Sequence, residues 1–168
     1  MLIASMNPCP CGYYGSKVKE CTCDERKRNS YKAKISGPLL DRIDIQIEVT
    51  PVKYQKLDEE SLAESSSRIK ERVNKARKIQ QERYKNDGIY SNAELTPKLT
   101  GKYCKLDGPS RTLLQKAFEK LGLSARAHGR ILKVARTIAD LEESKNIEQK
   151  HIAEAIQYRS LDKKYWKN

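Results

Sequence analysis

The chain is 168 residues long, enough for one domain or for a small domain joined to a fragment of another. At 38% hydrophobic and 33% charged it can bury a real core but is lean for a single compact globule. The net charge of +12, from 34 basic and 22 acidic residues, suits a polyanionic partner: nucleic acid, nucleotide phosphates or an acidic membrane surface. The other reading is a well-solvated, lysine-rich helical surface. No apolar run approaches the ~20 residues that span a bilayer, and "MLIASM" is too short for a signal-peptide core and lacks basic residues before it. The chain therefore reads as soluble and cytoplasmic, with no membrane partner.

The first predicted element is a short buried strand, "LIASM" at 2–6, which ends at Asn7-Pro8. Two tight cysteine pairs follow, Cys9/Cys11 and Cys21/Cys23, with residues 12–20 between them and Gly12 and Gly15 available for turns. In a reducing compartment clustered cysteines more often hold metal than form disulfides, and four thiolates match tetrahedral zinc. A single residue between paired cysteines is tighter than the usual Cys-x2–4-Cys, so a disulfide pair or free thiols remain alternatives. Residues 24–35 are polar and basic and predict a short helix. The flank at 17–34 carries seven basic and three acidic residues, among them Lys17, Lys19, Lys27 and Arg28. Tyr13, Tyr14 and Tyr31 are available either to stack on bases or to cover a small metal core.

"SGPLLDRIDIQIEVTP" then predicts a Ser-Gly-Pro turn, a helical turn at Leu39–Arg42, and a half-buried strand through Ile43, Ile45, Ile47 and Val49, stopped by Pro51. Beyond Asp58 the chain reads as helices with polar joints. A long, sparsely apolar helix covers 59–85, with Leu62, Ile69, Val73, Ala76 and Ile79 at helical intervals. Residues 86–109 are rich in loop signals and have room for a short helix. A helix at 110–121 is stopped by Gly122, Ser124 caps another that runs to about Glu143, and Asn146 caps a last one from Ile147 to about Arg159. Cys104 stands alone and reads as a core thiol. At 100° per residue the helix at 124–143 places Arg126, Arg130, Lys133, Thr137 and Asp140 on one stripe, and Ala127, Ile131, Val134, Ala135, Ile138 and Leu141 on the other. Two arginines near a helix N-terminus suit a phosphate ligand, although such a stripe is also an ordinary solvated face.

Four stretches, "MNPCPCG", "SGPLLDRIDI", "LSARAHGRILKVARTIADLE" and "HIAEAIQYRSLD", occur in order over essentially the whole chain. Together they resemble the C-terminal part of the magnesium-chelatase-like AAA+ ATPases of the YifB/ComM family. The resemblance implies a mainly α fold, with a helical AAA+ lid domain over 58–168. Before it, over 1–57, comes a short strand-bearing remnant of the α/β AAA+ core that carries a zinc loop of four cysteines. It also implies a ring-forming, hexameric ATPase, and for the competence branch a DNA helicase that promotes branch migration in natural transformation.

By the same resemblance, Asn7 is similar to the sensor 1 residue that orients the attacking water near the γ-phosphate. Arg42 resembles the arginine finger that reaches a neighbouring subunit's ATP, unless it pairs with Asp41 or Asp44 instead. Arg126 resembles the sensor 2 arginine, with Arg130 as second choice, in cis or in trans. Zinc would be the structural metal, and ATP with magnesium would belong to the full-length protein. The chain has no G-x-x-x-x-G-K-[ST] and no hydrophobic strand ending in Asp-Glu, so it is expected not to hydrolyse ATP alone. Its opening at the sensor 1 strand suggests a truncation or a gene fragment, with an N-terminal third poorly ordered unless zinc holds it. Two further readings are a magnesium chelatase subunit and a free-standing zinc-dependent nucleic-acid-binding module.

Overall fold

Asp140 organises the helical part of the molecule, and the elements are most easily placed around it. The structure is a computed structural model that describes residues 2–49 and 64–159. The expected boundary at 57/58, Leu62 and Pro51 lie outside the described residues. The elements are α1 (Glu25–Lys32), α2 (Gly37–Leu40), α3 (Ser66–Tyr84), a 3₁₀ turn (Asn92–Glu94), α4 (Pro97–Tyr103), α5 (Gly108–Leu121), α6 (Ala125–Leu141) and α7 (Gln149–Gln157).

The helix starts follow side-chain chemistry. Asp24, Ser36, Ser65, Thr96, Asp107 and Ser124 each accept a backbone N–H of the first turn, which supplies one donor that a helix start leaves unmet. α5 begins at Gly108, earlier than its apolar pattern predicts. Pro109 falls in its first turn, where a missing N–H costs nothing. Gly122 closes α5 with φ 56°, a left-handed backbone that favours glycine. The predicted cap of the last helix is corrected: Glu148 holds that position, and its N–H donates to Nδ1 of buried His151 at 2.9 Å. A backbone N–H can only donate, so Nδ1 is an acceptor and Nε2 carries the ring proton towards Glu142, 3.2 Å away. Asn146 cannot serve because Ile147, next to it, is drawn into a parallel bridge with Leu106.

That bridge is the one β pairing among the described residues, which corrects both predicted strands. A strand exists by pairing its N–H and C=O groups with a neighbouring strand, and neither 2–6 nor 43–49 has one there. Their apolar side chains face outward: Ile3 and Val49 are each 83% exposed. The strand-bearing remnant therefore has no counterpart in the described residues, which are helical and irregular. No helix among them is long and apolar enough to cross a membrane.

The core lies where α7 packs against both α5 and α6, with α3 and the 3₁₀ turn closing one side of α6. Tyr84, Leu95, Cys104, Leu114, Ile131, Leu132, Ala135, Ile138, Ile152 and Ala155 fill it. Burial of such side chains contributes about 1.5–3 kcal/mol for each large aliphatic or aromatic group. The apolar half of α6 packs as its spacing predicts.

The other half needs a correction, because Asp140 is fully buried rather than solvated. It accepts both Nη groups of Arg83, at 2.5 and 2.9 Å, and Nε of buried Arg136 at 3.1 Å. It also accepts Nδ2 of Asn92 at 2.9 Å, and Asn92 in turn accepts the Tyr84 hydroxyl at 2.6 Å. Burial opposes the charge on Arg83, but the carboxylate holds that guanidinium above the usual arginine range. For Arg136 burial dominates and draws it below that range, with Asp140 opposing.

Removing the carboxylate would leave two arginines facing each other in a largely dry site. We therefore expect Asp140→Ala to lower unfolding stability by about 3–5 kcal/mol, read as a fall in the urea midpoint. Asp44→Ala, which breaks a partly exposed pair with Arg130, should leave the midpoint close to wild type.

Candidate functional site

The cysteine loop is built by two reversals. Gly12 and Gly15 adopt φ of 82° and 80°, and Gly12 N–H donates to Cys9 O and Ser16 N–H to Tyr13 O, each at 3.0 Å. These turns carry Cys21 back over Cys9 and Cys11. The sulfurs of Cys9, Cys11 and Cys21 lie 3.3, 3.5 and 3.7 Å apart, and with Cys23 all four fall within 4.8 Å of one another. A tetrahedron with Zn–S bonds of ~2.3 Å has edges of about 3.8 Å, so the set is close to the size of a four-thiolate site. None of the cysteines is disulfide-bonded, and the four could together hold a metal ion.

The loop also prepares thiolates unevenly. Tyr13's backbone, hydrogen-bonding to Cys11, is the largest influence in bringing that thiol down to about 5. Desolvation is the largest influence in pushing Cys23 up to about 11. Tyr14 N–H donates to Cys9 Sγ at 3.3 Å, a contact of the kind that supports a metal-bound sulfur.

The basic flank wraps this loop and is largely committed to it. Arg28 donates to Cys23 O and lies 5.0 Å from the Tyr14 ring, with Lys32 at 5.3 Å. Lys19 sits 4.9 Å over Tyr13, and Lys27 pairs with Asp24 at 3.5 Å. Lys17 is exposed. Two of the three tyrosine rings expected to be available for bases, Tyr13 and Tyr14, thus already carry cations.

Arg42 lies on the exposed turn after α2 and donates to Pro38 O at 2.9 Å. Neither predicted acidic partner holds it. Asp44 instead pairs with Arg130 of α6, and Asp41 with Arg159, 3.5 Å away. Arg159 is 1% exposed and also donates to the carbonyls of Ile43 and Leu40. Gln46 N–H donates to Tyr158 O at 3.0 Å. The Arg42 turn is therefore hung between α6 and the end of α7. Arg126 is exposed, one helical turn before Arg130.

Asn7 is exposed and lies beside Gly12 of the cysteine loop. Among the described residues no hydrogen bond or ion pair joins it to Arg42, Arg126 or Arg130. The structure thus brings the four cysteines together, and Arg130 to the Arg42 turn, but does not link Asn7 to that group. Sequence reasoning missed Arg159 and Arg136. The i, i+4 spacing of Arg136 and Asp140 was the available signal for the second; Arg159 acts only across the fold and had none.

The helical body and the arginine turn tied to α6 lie in a chain that two family models match over most of its length. Residues 63–159 match the family described as magnesium chelatase, subunit ChlI C-terminal, and residues 1–57 match magnesium chelatase, subunit ChlI. The chain belongs to the YifB/ComM family of magnesium-chelatase-like AAA+ proteins, as its C-terminal part. It is 42% identical over 161 residues to the competence protein ComM of Haemophilus influenzae, covering 95% of this chain and 30% of that one. The YifB proteins of Salmonella typhimurium and Escherichia coli are 40% and 38% identical, each covering 96% of this chain and 31% of their own length. The chain thus spans about 30% of the length of the relatives it matches.

If Arg159 suspends the Arg42 turn, Arg159→Met should raise amide hydrogen exchange at residues 40–47 while α5 and α6 keep their protection. Equal loss of protection throughout the helices would show that Arg159 supports the whole fold instead.

Proposed function

We propose that this chain supplies the lid and arginine-turn part of a ring-forming, hexameric AAA+ ATPase that couples ATP hydrolysis to DNA remodelling, as in branch migration during natural transformation. The observation that carries the reading is the Asp44–Arg130 pair, which fastens the turn bearing Arg42 to the helix bearing Arg126. The name of the Haemophilus relative, a competence protein, supports the competence branch. The division into a core part at 1–57 and a lid at 58–168 accords with the two separate family matches.

In this reading Arg42 acts on a neighbouring subunit's nucleotide. A guanidinium placed there stabilises charge that develops on the transferred phosphoryl group and makes hydrolysis depend on assembly. Arg126 is the sensor 2 contact to the γ-phosphate, and Arg130 neighbours it. Because Arg130 pairs with Asp44 of the arginine turn, a phosphate drawn to Arg130 competes with that carboxylate. Nucleotide and finger are thereby coupled within one subunit. Asn7 serves as sensor 1 when the adjoining core sheet orders residues 2–6. Lys17, Lys19, Lys27 and Arg28 form the DNA-facing flank of the cysteine loop. The site of action is the cytoplasm, and ATP with magnesium is held by parts of the longer protein, since this sequence has no phosphate-binding loop.

Zinc is the metal we assign to Cys9, Cys11, Cys21 and Cys23, because sulfur donors at these separations match its size and softness. There it would staple the two turns of the loop together. Protein prepared without chelator should contain one zinc per chain by elemental analysis, and Cys21→Ser should lose most of it. Because the ligands bind as thiolates, acidification should release the metal as protons compete for the sulfurs, while mildly alkaline conditions retain it. Zinc-free protein that takes up none on titration would exclude this assignment.

The ATPase reading is tested in the longer family protein. Arg42→Ala should lower kcat by about 10³-fold or more with nucleotide affinity little changed. Mixing that variant with a phosphate-loop lysine variant should recover part of the activity at mixed interfaces. No recovery at any ratio would remove the trans role.

A further inference from the structure

A second cationic site lies at the opposite end of α6 from Arg126, about 15 Å along the helix at 1.5 Å per residue. It is a cavity of about 200 Å³ between the end of α3, α4, the loop after α4 and the loop that joins α6 to α7. Five of its lining residues are basic: Arg83, Lys102, Lys105, Arg136 and Lys145. Two carboxylates offset them. Asp140 is shared by Arg83 and Arg136, and Asp87 lies 3.1 Å from Lys102. Three positive charges are left over around the cavity. The ammonium groups of Lys105 and Lys145 have no carboxylate partner among the described residues.

The floor of this cavity is fixed and its rim is adjustable. Arg136 is anchored by Asp140 and by the carbonyls of Ser144 and Lys145, at 2.6 and 3.1 Å. Each of its terminal nitrogens keeps a second N–H beyond the one these bonds use. Arg83 is anchored through both Nη groups on Asp140. Two guanidiniums that share one carboxylate leave an excess positive charge, which an anion at the mouth would offset. The bridge between Leu106 and Ile147 fixes together the two loops that carry Lys105 and Lys145, both of which line the cavity.

From this geometry we propose that the cavity is an anion site for a small polyphosphorylated ligand, separate from the lid arginines Arg126 and Arg130. Its volume is below the ~300–1,000 Å³ of pockets that enclose drug-sized molecules, so it admits the phosphate groups and not a nucleoside. The charge excess matches a di- or trianion and not a single carboxylate. Guanidinium forks suit phosphate oxygens geometrically, and mobile lysines adapt to the remaining charge.

The probe is inorganic pyrophosphate, titrated calorimetrically into the 168-residue chain at low ionic strength, with acetate and a short DNA duplex as separate arms. Pyrophosphate should bind saturably at one site, and shift the amide resonances of Tyr103, Asn146 and Ile147. Replacing the two exposed rim residues, Lys105→Gln with Lys145→Gln, should weaken it about tenfold or more, while Arg126→Gln with Arg130→Gln leaves it within about twofold. Acetate should not bind. The proposal is overturned by absence of saturable pyrophosphate binding, or by affinity that survives the rim replacements. It is equally overturned by affinity that falls as much with the Arg126 and Arg130 replacements, or by binding of the duplex alone.

Discussion

The helical part of the fold depends on one buried carboxylate serving two guanidiniums. Asp140 ends the polar side of α6, receives Arg83 from α3 and Arg136 from its own helix, and is reached by Asn92 of the 3₁₀ turn. An unpaired charge in that position would be costly, so the three elements cannot separate independently. Tyr84 extends the tie: its hydroxyl bonds Asn92 while its ring packs edge-on against Tyr103 of α4, 5.0 Å away. Apolar burial supplies most of the driving force for packing α5, α6 and α7, and the Asp140 network sets the register of α3 against them. It also explains why the end of α3, the end of α4 and the α6–α7 loop meet around an excess of positive charge.

The Arg42 turn uses the same chemistry with fewer contacts. α2 is a single turn of helix with one buried residue, Leu40, too little apolar surface to dock by itself. It is held by buried Arg159, which takes two of its carbonyls, and by the partly exposed Asp44–Arg130 pair. A segment held by a few polar contacts can be released without unfolding the lid. Such a mounting suits the trans role proposed for Arg42, and the Asp44–Arg130 pair ties the turn to α6.

The cysteine loop follows a different rule, because it is stabilised locally. Its four sulfurs come from a stretch of fifteen residues, its reversals rest on two left-handed glycines, and its tyrosines face basic residues of its own flank. Apart from those contacts it has little core: Cys9 and Cys23 are the buried ones among the described residues of the first thirty. A loop so poor in apolar burial needs a cross-link, and converging thiols supply the means. The basic flank then acts first as the cover of the sulfur site, with Lys17 the member least engaged in it.

What the sequence by itself determined are the features set by neighbours along the chain. The cap at Ser124, the left-handed stop at Gly122, the amphipathic face of α6 and the cysteine pairing were legible, because each depends on residues within a few positions. Tertiary structure decided the rest. The alternation at 43–49 reads as a strand, but strand formation needs an edge to pair with, and none is available to it in the described residues. Asp140 reads as part of a solvated stripe, and only the arrival of Arg83, 57 residues earlier in the chain, makes its burial possible. Arg159 reads by pattern as the end of the last helix, yet it anchors a turn that lies 116 residues away at Ile43. Buried charge is the common element in these last two cases. Its partners are chosen by the fold and not by spacing, so local periodicity carries no record of them.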